Sequence, residues 1–151
     1  MEFPTPIPFA ETLGLKLVAM EGGYATIRLA LQAGHHNSFD VGHGGVIMSL
    51  LDATMAHAAR SMNPVSSSGV LPGVVTVEMK TSFMQAATGV LQAEARVLHR
   101  TATLAFCEGS VFSERDEICA HGTGTFMYMR ALPTAHGQIK SLRGSDPSEP
   151  A

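Results

Sequence analysis

Charged side chains are scarce in this sequence: Asp, Glu, Lys and Arg supply 15% of its 151 residues, against about a quarter in an average soluble domain. A surface so poor in charge is most simply one that is partly hidden in an oligomer. The formal net charge of -3 and a pI near 6.1, with nothing resembling a basic stripe, argue against nucleic acid as a partner. Long apolar runs are missing as well. The longest is broken by Ser49, Asp52, Thr54 and His57, which excludes a membrane span. The opening "MEFPTPIPF" carries no basic region and no extended apolar stretch, so no signal peptide is expected and the cytoplasm is the default location. Cysteine is limited to Cys107 and Cys119, at no metal-ligand spacing. On the two arms of a hairpin turning near Glu114–Asp116, Cys107 would face a residue near Thr125. Cys119 would then lie about 16 Å out of register, beyond disulfide reach.

The remaining chain divides by periodicity. Pro4, Pro6 and Pro8 predict an extended arm, and "FAETLGL" one or two helical turns ended by Gly14. From Leu15 to Leu31 the pattern alternates about "EGGY", with Ala25, Ile27, Leu29 and Leu31 on one face and Tyr24, Thr26 and Arg28 on the other. That is a half-buried hairpin. "QAGHHNSFDVGHGG" has loop composition, and Gly44 to Ser61 predicts a helix of about five turns, apolar nearly all round. "NPVSSSGVLPG" ends it as a flexible loop. Beyond Gly73 strands follow one another: Val75, Val77, Met79, Thr81 and Phe83 alternate with Thr76, Glu78, Lys80 and Ser82. Further strands are expected at Leu91–Val97, about Ala102–Ser113 and Glu117–Arg130, as a meander. The segment from Ala131 to Ala151 is rich in Pro, Gly and Ser and is expected to be a disordered tail to a single domain of residues 1–130. One all-apolar helix can be covered only by a strongly curved sheet, an α+β architecture in the element order of a hotdog fold.

Within that apolar helix sits one carboxylate, Asp52. An ionised carboxylate left unpaired in a core costs several kcal/mol. Its neighbours on the same face, Met48, Ser49, Met55 and Ala56, offer it no counter-charge. It either reaches a backbone amide or solvent at a helix edge, or it is a functional acid held despite its cost. The helix start favours the second reading. Gly44 and Gly45 open it, where backbone N–H groups have no intrahelical acceptor and the dipole is positive. Two residues without side chains let a substrate oxygen approach those donors, as in an oxyanion hole. His43 and Asn37 flank this start as polarisers of a carbonyl or holders of a water. The set points to acyl transfer with hydrolysis. Gly44 and Asp52 are about 12 Å apart along the helix, too far to meet one reacting group. A two-fold dimer with facing antiparallel helices would bring Asp52 of one chain to Gly44 of the other, making the site shared.

Asn37, then "HGG" beginning at His43, then Asp52 resembles the motif of hotdog-fold acyl-CoA thioesterases of the phenylacetate-pathway, or PaaI-like, kind. The strand region "GVVTVEMKTSFMQAATGVLQAEARVLHRTATLAFCEGSVF" is similar to the family's as well, and the resemblance covers Leu13 to Met129. It implies Asp52 as nucleophile or general base, Asn37 as holder of nucleophile or substrate, and His43 as polariser of the thioester carbonyl. It further implies the Gly44 amide as oxyanion donor, Gly45 as support of the turn beside the substrate, and Thr76 as a strand residue reaching the site. It also implies dimers paired into tetramers and no cofactor. Gln85-Ala86-Ala87 departs from the proline common in relatives, a difference expected to bear on strand shape and not on chemistry.

Other residues have plainer readings. His35, His36, His43 and Asp40 could ligate a metal, but at no known ligand spacing, and no metal is expected. His57 is read as a helix residue near an interface, and Met48, Met55, Met62, Met79 and Met84 as packing that could also line an acyl tunnel. Arg96, His99, Arg100 and Arg130 are candidates for the coenzyme A phosphates. The sequence therefore predicts a thioester hydrolase acting on acyl-CoA. Its rivals are a hotdog enoyl-thioester hydratase, which would need an acid/base pair not seen here, and a non-catalytic acyl-CoA binding module, which would not need Asp52.

Overall fold

The computed structural model describes residues 1–63 and 72–129, together with two short strands at 131–133 and 139–141. After the proline arm, α1 (Pro8–Leu13) stops at Gly14, whose φ of 74° lies in the left-handed region that glycine enters freely. Strands β1 (Lys16–Glu21) and β2 (Tyr24–Ala30) form the expected hairpin, with Ala25, Ile27 and Leu29 buried. The helix α2 spans Gly44–Ser61 as the pattern predicts. Four long strands follow: β3 (Gly73–Phe83), β4 (Val90–Arg100), β5 (Leu104–Phe112) and β6 (Ile118–Met129).

The six strands form one antiparallel sheet in the order β1-β2-β4-β5-β6-β3, and α2 touches every one of them. A sheet reaching a single helix with all its strands must curve around it, which is the hotdog arrangement. Its concave face is built small where the helix comes close. A Cβ on Gly109, Gly122 or Gly124 would sit 3.0–3.4 Å from its nearest neighbours, Leu51 or Met55 of α2 among them. The buried helix face comprises Ile47, Leu50, Leu51, Thr54, Met55 and residues 57–60. Among the described residues no helix is long and apolar enough to cross a membrane.

Two expectations about the strands are corrected. Only β4, β5 and β6 form a meander, because β3 pairs with β6 at the far edge and the chain then crosses to reach β4. Nor does the alternation run unbroken along β3. The register slips between Thr76 and Glu78, leaving Val77 as an unpaired bulge residue, 53% exposed. Before the bulge, Val74 and Thr76 face the helix. After it, Met79 does. The expected faces therefore hold from Met79 onward and are reversed before it, as an inserted residue requires.

Cys107 pairs across the ladder with Gly124, beside the expected Thr125, and both cysteines are buried free thiols. Within the segment expected to be a disordered tail, β7 (Ala131–Pro133) pairs antiparallel with β8 (Ile139–Ser141), while the rest lies outside the described residues. The loop expected after Met62 also falls mostly outside them.

Candidate active site

The loop before α2 is held as a frame. Asn37 N–H donates to the Val41 carbonyl, and Asn37 Oδ1 accepts from Phe39 N–H at 2.8 Å and Val41 N–H at 3.4 Å. This closes a turn through Asp40, whose φ is 58°. With its side-chain oxygen engaged, Asn37 keeps its Nδ2 amide for another acceptor, since no partner to it occurs among the described residues. His36 bridges to Gly42, and His43 N–H donates to the His35 carbonyl. His35 itself is buried, its Nδ1 accepting from Gln32 N–H at 3.1 Å, so it serves the loop.

His43 is the N-cap of α2. Its Nδ1 accepts from Gly45 N–H at 2.9 Å, which requires a lone pair there. The neutral ring then carries its proton on Nε2, free to donate to a carbonyl. The same bond consumes the Gly45 amide, so the free donor of the pair is the Gly44 N–H, which has no backbone partner among the described residues. The Phe83 ring lies over Gly44, 3.4 Å from where a Cβ would stand.

Asn37 and Gly44 line one cavity of about 220 Å³. Its other walls are Val41, Gly42, Ile47, Phe83, the connector Gln85–Ala86–Ala87, and Cys119. Gly42 N–H donates to the Ala87 carbonyl, and the N–H groups of Met84 and Gln85 both donate to the Cys119 carbonyl. This corrects the reading of Gln85-Ala86-Ala87 as a matter of strand shape alone: the connector is cavity wall. Phe83, Ile47 and Cys119 were not singled out as site residues by the sequence. No local signal marks them, because three distant segments meet only when β3 takes its place beside β6.

Asp52 lies two turns further along α2, outside that cavity and half-buried. Thr76 Oγ1 donates to its Oδ1 at 2.6 Å. Thr76 pairs across the ladder with the fully buried Phe126, which places it on the concave face, and the bulge at Val77 makes that placement possible. Burial pushes the Asp52 carboxyl up from its usual range, and the Thr76 hydroxyl pulls it partly back. The fold thus joins Asn37 to Gly44, His43 to Gly45 and Asp52 to Thr76, and leaves the last pair apart from the first two within one chain.

The coenzyme A candidates are mostly engaged elsewhere. Arg96 pairs with Glu108 at 2.6 Å. Arg100 donates to the Met62 carbonyl and to Asn63 Oδ1, with its guanidinium 5.0 Å from the Tyr128 ring centre. His99 stacks on Phe106. Arg130 lies outside the described residues.

A curved sheet around one helix, a glycine-opened helix start and a desolvated acid on that helix define a hotdog-fold thioester hydrolase. The chain belongs to the thioesterase superfamily, whose family model matches residues 39–120. It is 33% identical to a conserved protein of Pseudomonas aeruginosa, covering 83% of this chain and 97% of that one with a TM-score of 0.75. The PaaI protein of the phenylacetic acid degradation operon of E. coli shares the fold at 21% identity and a TM-score of 0.72, covering 80% of this chain and 83% of that one. A protein of Saccharolobus solfataricus bearing a provisional esterase name is 24% identical over 119 residues, or 78% of this chain and 75% of that one.

Proposed function

We propose that the protein is an acyl-CoA thioesterase whose active site is completed by a second copy of the chain. One observation carries this reading. Gly45, Met48, Ser49, Asp52, Ala53 and Ala56 form the stripe of α2 that the chain itself leaves open, while the opposite face is buried. An apolar helix with an acid in its uncovered stripe is suited to a facing copy. The outer edge of β3 supports the same partner, since eleven residues of it end the sheet with Val77 half-exposed. An unpaired edge of that length is a template for a second strand.

In the completed site the Gly44 amide and His43 Nε2–H hold the thioester carbonyl, and Asp52 of the facing chain approaches its carbon. Asp52 either attacks directly, giving a mixed anhydride that water then cleaves, or takes the proton of a water that attacks. Both routes end in a carboxylic acid and a free thiol. The thiolate leaves readily, so an attacking group and oxyanion donors suffice. Asn37 Nδ2–H orients the water or substrate oxygen, and Gly45 holds His43 in place. Coenzyme A, a cytoplasmic setting and pairing of dimers into tetramers belong to the same reading.

The test is thiol release from acyl-CoAs by mixed chains. Asp52→Ala and His43→Ala proteins, each inactive alone, should on co-refolding regain up to about a quarter of wild-type activity, because half the dimers then carry one intact site. Activity that never recovers in mixtures shown to exchange subunits would sink the shared site.

A further inference from the structure

Burial orders the depth of the cavity beside Gly44. Phe83, 54% exposed, stands at the rim, Asn37 and Gly44 are half-buried at mid-depth, and Ile47, Ala87 and Cys119 are buried at the floor. We propose that this floor measures the acyl group, with Cys119 as the residue that sets its length. The inference rests on the thioesterase reading, which puts the carbonyl at the Gly44 amide and so directs the acyl chain inward. The cavity of about 220 Å³ is small, which suits a short-to-medium hydrocarbon acyl group, on the order of eight carbons, or a single ring with a short arm, better than a long fatty chain.

Two features make the limit sharp. The floor is apolar, so neither a charge nor a hydroxyl on the acyl end would find a partner there. Its backbone is also pinned. Met84 and Gln85 donate to the Cys119 carbonyl at 2.8 and 3.2 Å, and Gly42 donates to the Ala87 carbonyl at 2.8 Å. The floor cannot retreat, so only side-chain volume is adjustable. Cys119 Sγ makes long contacts to the Ala86 and Glu117 carbonyls, 3.9 and 3.7 Å. Burial and the neighbouring Glu117 carboxylate push its thiol up, so it remains protonated and acts as a small wall and not as a nucleophile.

The experiment is a kcat/KM profile from acetyl-CoA to dodecanoyl-CoA. For the wild type it should rise to about octanoyl and fall beyond, by at least about tenfold for each methylene that no longer fits. Cys119→Leu should move the break shorter by about two carbons and Cys119→Ala should move it longer. Should the leucine variant not fold, Cys119→Val should shorten the break by a smaller step, with Cys119→Ala still lengthening it. A profile that stays put in every one of these proteins while turnover persists overturns the inference and leaves the thioesterase standing. No thiol release from any acyl-CoA overturns the thioesterase reading and this inference with it.

Discussion

Asp52 and His57 sit five residues apart on one helix, and burial drives both toward their neutral forms. Burial raises Asp52. It lowers His57 to about 4, an effect that the Arg60 charge reinforces and a bond to the Ala53 carbonyl partly offsets. Their surroundings differ. Asp52 lies on the open stripe with Thr76 as its hydrogen-bond partner. His57 is buried under Phe3, its ring 5.0 Å from the phenyl ring, with Nδ1 on the Ala53 carbonyl and Nε2 without a partner among the described residues. A perturbed titration therefore does not identify a site. What separates the two is access, which Asp52 has and His57 lacks.

Removing Asp52 should have the largest effect. Asp52→Ala is expected to lower kcat/KM by about 10²- to 10⁴-fold while the thermal midpoint holds or rises, because a desolvated charge is gone. The sign follows from its raised folded pKa: the group's contribution to stability is full below 3.8 and is lost as pH rises through the folded value. In the proposed mechanism the ionised form does the chemistry, so the acid limb of kcat/KM should lie above pH 3.8. Full activity in the alanine variant would end the proposed role.

His57 should show itself in stability and not in catalysis. Its folded pKa is lowered from 6.5 to about 4, so the unfolded chain takes up the proton first. Stability should be flat above the higher value and fall between the two as pH drops, by about 3 kcal/mol in all. Denaturant midpoints across that range for wild type and His57→Leu measure it. An equal slope in the variant would show that His57 is not the cause.

A smaller effect probes how tightly the sheet receives the buried half of the helix. An added Cβ on Gly124 would stand 3.0 Å from the Phe126 ring and 3.3 Å from Met55 Cε. Gly124→Ala should cost about 1–3 kcal/mol by overpacking, read as a lower thermal midpoint. The smallest effect lies on the open half. Thr76→Val removes the hydroxyl that lowers the Asp52 pKa, so the acid limb should move to higher pH and kcat/KM fall by about tenfold or less. An unmoved limb would mean that Thr76 does not act through Asp52.

Much of this was legible in the sequence because it is local. Gly44–Ser61 has helical spacing and a His-Gly-Gly start that caps itself through His43 Nδ1. Ala25, Ile27 and Leu29 alternate as a half-buried strand must. Asp52 stood out because its own helical face offers no charge to pair with it. The partner it does have, Thr76, was placed by the alternation on the polar face of its strand. The bulge at Val77 reverses that face, and no local period reports an inserted residue.

The sequence by itself determined the elements, the helix start and the acid. Helical and strand periods, glycine conformations and the cost of a buried charge are all properties of neighbouring residues. Only the tertiary structure decided that β3 closes the sheet beside β6, that Thr76 turns inward, and that Phe83, Ala87 and Cys119 wall the cavity beside Gly44. An antiparallel strand with one apolar face can pair with any other of its kind. The choice is made by how a curved sheet best covers one helix, and that choice belongs to the whole chain at once.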